Sequence, residues 1–115
     1  MHLTILAGPG CPNAPVLRDR LAAALNGRAG ISVSDEVIRD ESEAARRGMR
    51  GSPTLLIDGV DPFAEPGQPP AMSCRLYRTG GGRASGAPSA GQLRQAIEQA
   101  LATRAEAQDW SASLS

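Results

Sequence analysis

Two stretches carry residue types that could do chemistry. The first is Gly8-Pro9-Gly10-Cys11-Pro12-Asn13-Ala14, a glycine- and proline-rich turn around a cysteine. The second is Gly51-Ser52-Pro53-Thr54, a Ser-Pro bond ahead of the apolar run Leu55-Leu56-Ile57. The Cys11 turn follows the apolar run Leu3 to Ala7 and opens a helix-like run, Ala14 to Leu25. A cysteine at a strand-to-helix turn lies near N–H groups that have no helical carbonyl to bond. Such groups stabilise a thiolate and raise its nucleophilicity. Cys11 is therefore the candidate reactive or ligating thiol; the alternative is a remnant in a fold that has lost its chemistry. Cys74 has three readings: a buried structural cysteine, a partner of Cys11, or an independently reactive thiol. Burial is favoured by residue type. A fourth strand starting at Cys74 would put it at the end of the sheet away from Cys11. That is roughly 15 Å, against the ~7 Å between Cα atoms that a disulfide allows.

The elements that must position these residues follow from spacing. His2 to Ala7 reads as a short buried strand. Asn13 is a plausible N-cap, with Pro15 in the first helical turn where a missing N–H costs little. Val16, Leu17, Leu21, Ala24 and Leu25 keep helical spacing, and Asn26-Gly27 stops the helix. Ile31 to Ile38 alternates as a half-buried strand. Asp40 with Glu43 forms a capping box for a short polar helix that ends at Gly48. Thr54 to Ile57 is a third strand closed by Asp58-Gly59. Residues 60–72 hold four prolines (Pro62, Pro66, Pro69 and Pro70), which exclude helix and central strand. This loop is either functional or a surface insertion pinned by Phe63. Cys74 to Arg78 reads as a fourth strand, with Cys74, Leu76 and Arg78 on one face and Arg75 and Tyr77 on the other. Thr79 to Gly86 is a turn. Ser89 with Gln92 is a second capping box, opening a helix with the stripe Leu93, Ala96, Ile97, Ala100 and Leu101. Residues 1–107 form one domain, and 108–115 read as a frayed tail, from which Trp110 could dock back on the body.

Composition excludes several classes. All twelve basic residues are Arg, and twelve acids cancel them, so no basic field argues for nucleic acid or an anionic membrane. No apolar stretch approaches the ~20 residues that span a bilayer. Two cysteines are too few for a disulfide scaffold, and no signal-peptide pattern opens the chain, so the expected compartment is cytoplasmic. His2 has no Cys/His cluster beside it, and no metal site is expected. Arg39, Arg46, Arg47 and Arg50 either steer an acidic partner or form a solvated helix face. Arg75 and Arg78 flank Tyr77, where stacking on a ligand is an option.

The order strand, helix, strand, helix, strand, strand, helix resembles the thioredoxin fold. It has a cysteine after strand one and a proline before strand three. Gly51-Ser52-Pro53-Thr54-Leu55-Leu56-Ile57 looks like the Pro-Thr strand start of thioredoxins, where the proline is cis. Pro53, Ile57, Asp58 and Gly59 are also similar to a glutaredoxin run. Ser85-Gly86-Ala87-Pro88-Ser89-Ala90-Gly91-Gln92-Leu93 looks like the thioredoxin approach to its last helix. The resemblance covers residues 3 to about 103, interrupted at 60–72. It implies an α/β, thioredoxin-like βαβαββα fold with a central mixed sheet and flanking helices. It implies that Cys11 is the attacking thiol. It further implies that Pro12, Ser52, Pro53, Thr54 and Gly86 line a substrate groove, in which the neighbour of Pro53 pairs with an extended thiol substrate. The departures are specific. Ala14 stands where the resolving cysteine would be, Gly10 where the usual Trp would be, and no Lys is present. Cys11-Pro12 fits the Cys-Pro of glutaredoxins, and Gly80-Gly81-Gly82 loosely echoes their Gly-Gly turn.

Three functions compete. One is a monothiol protein in which Cys11 exchanges with a thiol or disulfide substrate, small or protein, and a co-substrate such as glutathione or another low-molecular-weight thiol resolves the adduct. No other cofactor is expected. The second resembles the thiol pair of alkylmercury lyases, with Cys11 and Cys74 holding a thiophilic metal and Asp61 or Glu65 donating a proton. The third is a non-catalytic peptide-binding module. The oligomeric state is open.

Overall fold

The computed structural model describes residues 1–78 and 84–114, with side chains up to residue 105. The described residues form a mixed α/β fold. In order they are β1 (His2–Ala7), α1 (Ala14–Leu25), β2 (Ser32–Val37), α2 (Glu41–Arg47), β3 (Arg50–Ser52), β4 (Thr54–Ile57), β5 (Ala71–Cys74), β6 (Tyr77–Arg78), β7 (Ala84–Ser85) and α3 (Ala90–Leu114). The expected turn at Thr79 to Gly86, with Gly80-Gly81-Gly82, lies mostly outside the described residues, as does the Trp110 side chain.

β1 lies at the centre of a three-stranded sheet ordered β2-β1-β4. It pairs parallel with β2 across the α1 crossover and antiparallel with β4, Leu3 opposite Ile57 and Leu6 opposite Thr54. Alternation along β1 feeds two cores. Leu3 and Ile5 join Leu55 and Ile57 under α1 and α3, through Leu17, Leu21, Leu93 and Ile97. Leu6 and Leu56 face the other way and pack with Ile38, Ala44 and Met49 at α2.

The helix ends obey local chemistry. The Glu43 N–H donates to Asp40 Oδ1 at 2.7 Å, and Gly48 closes α2 with φ 74°. Ser89 and Gln92 satisfy each other reciprocally, backbone N–H to side chain, at 2.9 and 3.1 Å. Asn13 precedes α1 but makes no side-chain cap bond. Its amide is instead turned onto Gly86, so closely that a Cβ at Gly86 would collide with it.

Four expectations change. β2 is not half-buried: Val33 and Val37 are 41% and 50% exposed, because β2 is the outer strand and the helices cover β1 and β4. The single strand expected from Cys74 to Arg78 is two short ones. The Pro-rich loop ends at Pro70, because Ala71 opens β5, which pairs parallel with β3 (Arg50 opposite Ala71, Ser52 opposite Cys74). β6 pairs antiparallel with β7. Finally, α3 continues through 108–114, past the end of the apolar stripe. Among the described residues no helix is long and apolar enough to cross a membrane.

β3 is locked to the segment after β5 at Gly51. Its φ is +114°, and a Cβ there would lie 2.7 Å from Arg75 Cβ and 3.2 Å from Arg75 Cα. The Gly51→Ala variant meets both an unfavourable backbone conformation and a backbone neighbour that cannot rotate away. It is expected to lose about 2–4 kcal/mol in urea unfolding, combining the left-handed and overpacking costs.

Candidate thiol site

The described residues place the cysteine turn and the Ser-Pro bond side by side at one end of the sheet. The turn closes with the Cys11 N–H donating to Gly8 O at 3.2 Å, and the Ala14 N–H donates to Cys11 O at 3.4 Å. α1 begins at Ala14, so Cys11 precedes the helix by three residues. The Ser52–Pro53 bond is cis. Ser52 Oγ accepts the Gly8 N–H at 3.0 Å, which ties the two stretches together. Cys11 is half-buried and Cys74 exposed; both are free thiols.

A cavity of about 220 Å³ opens beside Cys11 on the β2 side, lined among others by Ala7, Ala14, Pro15, Arg18, Asp35 and Val37. Arg18 and Asp35 form an exposed ion pair at its rim. Ala14 lines the cavity where a resolving cysteine or an acid would have filled it.

The other flank is closed. Ser52 is 4% exposed, and Pro53 and Thr54 are fully buried. The Ser52 carbonyl already accepts the Arg75 N–H at 3.1 Å. The edge on which an extended thiol substrate was expected to pair is thus occupied by the chain itself, through β5 and Arg75. Pro12 precedes α1 in the turn, and Gly86 is spent on the approach of Asn13.

Cys74 lies at the same end as Cys11, which corrects both its expected burial and its expected place at the far end. The displacement arises because its strand is β5, paired with Ser52, rather than a strand running on to Arg78. The alternation within 74–78 is as the sequence suggests, with Cys74, Leu76 and Arg78 exposed and Arg75 and Tyr77 buried.

Arg75, which the sequence offered as a group to stack on a ligand, is instead buried and paired within the chain. Its Nη1 donates to Asp61 Oδ2 at 2.7 Å and to Thr54 Oγ1 at 3.3 Å. Its Nη2 donates to Phe63 O at 2.8 Å. Its guanidinium lies 4.6 Å over the Tyr77 ring centroid, so it stacks on the chain's own tyrosine rather than on a ligand. Asp61 Oδ1 also accepts the Phe63 N–H at 2.9 Å. Both of its oxygens are therefore engaged, and Asp61 is no free proton donor. Phe63 meets Tyr77 edge-on at 5.7 Å, so the Pro-rich loop is pinned by Asp61 as well as by Phe63. The one available signal was an Arg alternating in phase with a Tyr that had to be buried.

Tyr77 donates to Pro53 O at 2.5 Å. Burial pushes its phenol well above the usual tyrosine range; Arg75 opposes this, while Asp61 and then Cys11 add to it.

Of the other charged candidates, Arg50 joins this cluster, its Nη1 lying 3.8 Å from Asp61 Oδ2. His2 bridges Ser32 and Ser34 through its two ring nitrogens, at 2.7 and 2.9 Å, at the opposite end of β1. Arg47 pairs with Glu36 and Arg46 donates to Ser42 Oγ, so these two lie on the solvated face of α2. Glu65 lines a separate cavity with Phe63, Gln68 and Arg75. Among the described residues no three His, Cys, Asp or Glu side chains cluster to hold a metal ion.

Two outcomes follow from the buried charge and the buried phenol. Asp61→Asn leaves the Arg75 guanidinium uncompensated and is expected to cost about 3–5 kcal/mol in urea unfolding. The double variant Asp61→Leu, Arg75→Met should cost less than the two single losses summed. Tyr77 is the only tyrosine, so ultraviolet titration reads it alone. Its phenolate absorbance should rise well above the ordinary midpoint of about pH 10. Because the folded value is the higher one, the unfolded chain loses this proton first. The stability from Tyr77 should be complete below about pH 10 and fall as pH rises beyond it.

Comparison with protein-family models, with curated proteins and with solved structures returned no match to this chain.

Proposed function

We propose that the chain is a thioredoxin-like thiol protein whose Cys11 exchanges with a small disulfide or thiol adduct. The observation that carries this reading is a half-buried Cys11 opening onto a cavity of about 220 Å³ next to a cis Ser52–Pro53 bond. The fold-level part is supported by the parallel β1-α1-β2 unit, the antiparallel β4 after Pro53, and the sharing of one core by α1 and α3.

The cavity favours a small substrate. A water takes about 30 Å³ of liquid volume, so the space beside Cys11 suits a small organic thiol rather than a polypeptide. The occupied Ser52 edge argues the same way, against a peptide laid beside Pro53. In the first step the Cys11 thiolate attacks one sulfur of the substrate disulfide. A Cys11–substrate disulfide forms, and the other half leaves as a thiolate. A low-molecular-weight thiol serves as co-substrate. A reducing, cytoplasmic compartment fits two free thiols.

A second reading, a thiophilic metal ion or organomercurial held between Cys11 and Cys74, gains from the placement of both thiols at one end of the sheet. It loses Asp61 as proton donor to Arg75.

The test uses bis(hydroxyethyl) disulfide in a Cys74→Ser background. Mass spectrometry should find the adduct on Cys11, and Cys11→Ser should abolish it. Ala14→Leu narrows the cavity and should slow adduct formation about tenfold, corresponding to some 1.4 kcal/mol on the barrier. A Cys11 that reacts no faster than exposed Cys74 in the reciprocal variant would sink the reading.

A further inference from the structure

We infer that Cys74 is the resolving thiol of Cys11, supplied by β5 in place of the missing cysteine at position 14; this rests on the exchange chemistry proposed for Cys11. Two observations put Cys74 on the Cys11 side. Cys74 is the register partner of Ser52. Directly paired strand residues point to the same face of a sheet, and Ser52 Oγ is aimed at the Gly8 N–H in the Cys11 turn. Independently, Met72, in the same short strand β5 as Cys74, has its Cε 3.8 Å from where a Cβ at Gly8 would lie, so β5 packs against the Cys11 turn.

β5 is held where a partner strand would lie. Arg75, the next residue, donates its N–H to Ser52 O and anchors its guanidinium on Asp61. Cys74 itself stays exposed, so its thiol is free to attack. The geometry thus presents an internal thiol on the edge closed to an external chain.

The reaction balances in two exchanges. Attack by Cys11 forms the Cys11–substrate disulfide and releases one substrate thiolate. Attack by the Cys74 thiolate on the Cys11 sulfur then forms the Cys11–Cys74 bond, breaks the Cys11–substrate bond and releases the second thiolate. Two protein thiols are oxidised by two electrons, and one substrate disulfide is reduced to two thiols. A low-molecular-weight thiol, reacting twice, returns the protein to its starting state.

Single-turnover reaction with dithiobis(nitrobenzoate) tests this. The Cys74→Ser protein should release one equivalent of nitrothiobenzoate and keep the label on Cys11. The wild type should release two equivalents and keep no label, and digestion should yield a peptide joined through Cys11 and Cys74. Its second phase should be first-order, independent of protein concentration, and at least about a hundredfold faster than loss of label from Cys74→Ser, as an intramolecular attack requires. A wild type that retains label on Cys11 as long as Cys74→Ser, carries label on both cysteines, or releases the second equivalent at a rate proportional to protein concentration would overturn the resolving role. Those results leave Cys11 exchange intact. An unlabelled Cys11 in Cys74→Ser would instead remove the exchange reading itself.

Discussion

The buried Arg75 guanidinium is the contact on which the rest of the site depends. A charge removed from water is tolerated only if paired and hydrogen-bonded, and Arg75 draws its partners from three separate pieces of chain. Asp61 and Phe63 belong to the Pro-rich loop, Thr54 to β4, and Tyr77 to β6. Satisfying one side chain therefore folds the loop down, sets β5 against β3, and brings Tyr77 onto Pro53. The fork geometry of Arg suits this role in a way that a single ammonium would not.

This arrangement explains why so small a sheet has a defined end. Among the described residues three strands form the central sheet, and its edge strand β2 is exposed on both faces. The apolar core lies around β1 and β4, while the site end is held by polar contacts instead. Arg20 contributes there too, donating to Ala87 O at 2.8 Å and Ser85 Oγ at 3.1 Å, which links α1 to the approach of α3. The turn bearing Cys11 is thereby held between two ordered neighbours, Ser52 on one side and the start of α1 on the other.

Ala14 and β5 are two halves of one arrangement. The small side chain at position 14 leaves space on the β2 side of Cys11, while β5 fills the Ser52 side. Access to the thiol is consequently one-sided and limited in size. In the proposed chemistry, the second sulfur comes from the filled side and the substrate from the open one.

Much of the fold was legible along the chain. Periodicity set β1, α1, α2 and β4 at the residues where they occur, because the apolar spacing, the Asp40 and Ser89 caps and the Asn26 and Gly48 stops are local properties. The alternation of residues 74–78 was also local, but which face lay inside was not: nothing in Cys74-Arg75-Leu76-Tyr77-Arg78 says that Leu76 is 72% exposed and Arg75 is 5% exposed. That outcome depends on Asp61, fourteen residues away, whose carboxylate offsets part of the cost of burying the guanidinium. The same long-range choice moved Cys74 to the Cys11 end. Residue types and spacing thus determined the helices and the strands β1 and β4, and marked Cys11 as the candidate thiol. Only the tertiary structure decided which strand lies beside Ser52, because strand pairing and buried charge are settled between segments that have no sequence proximity.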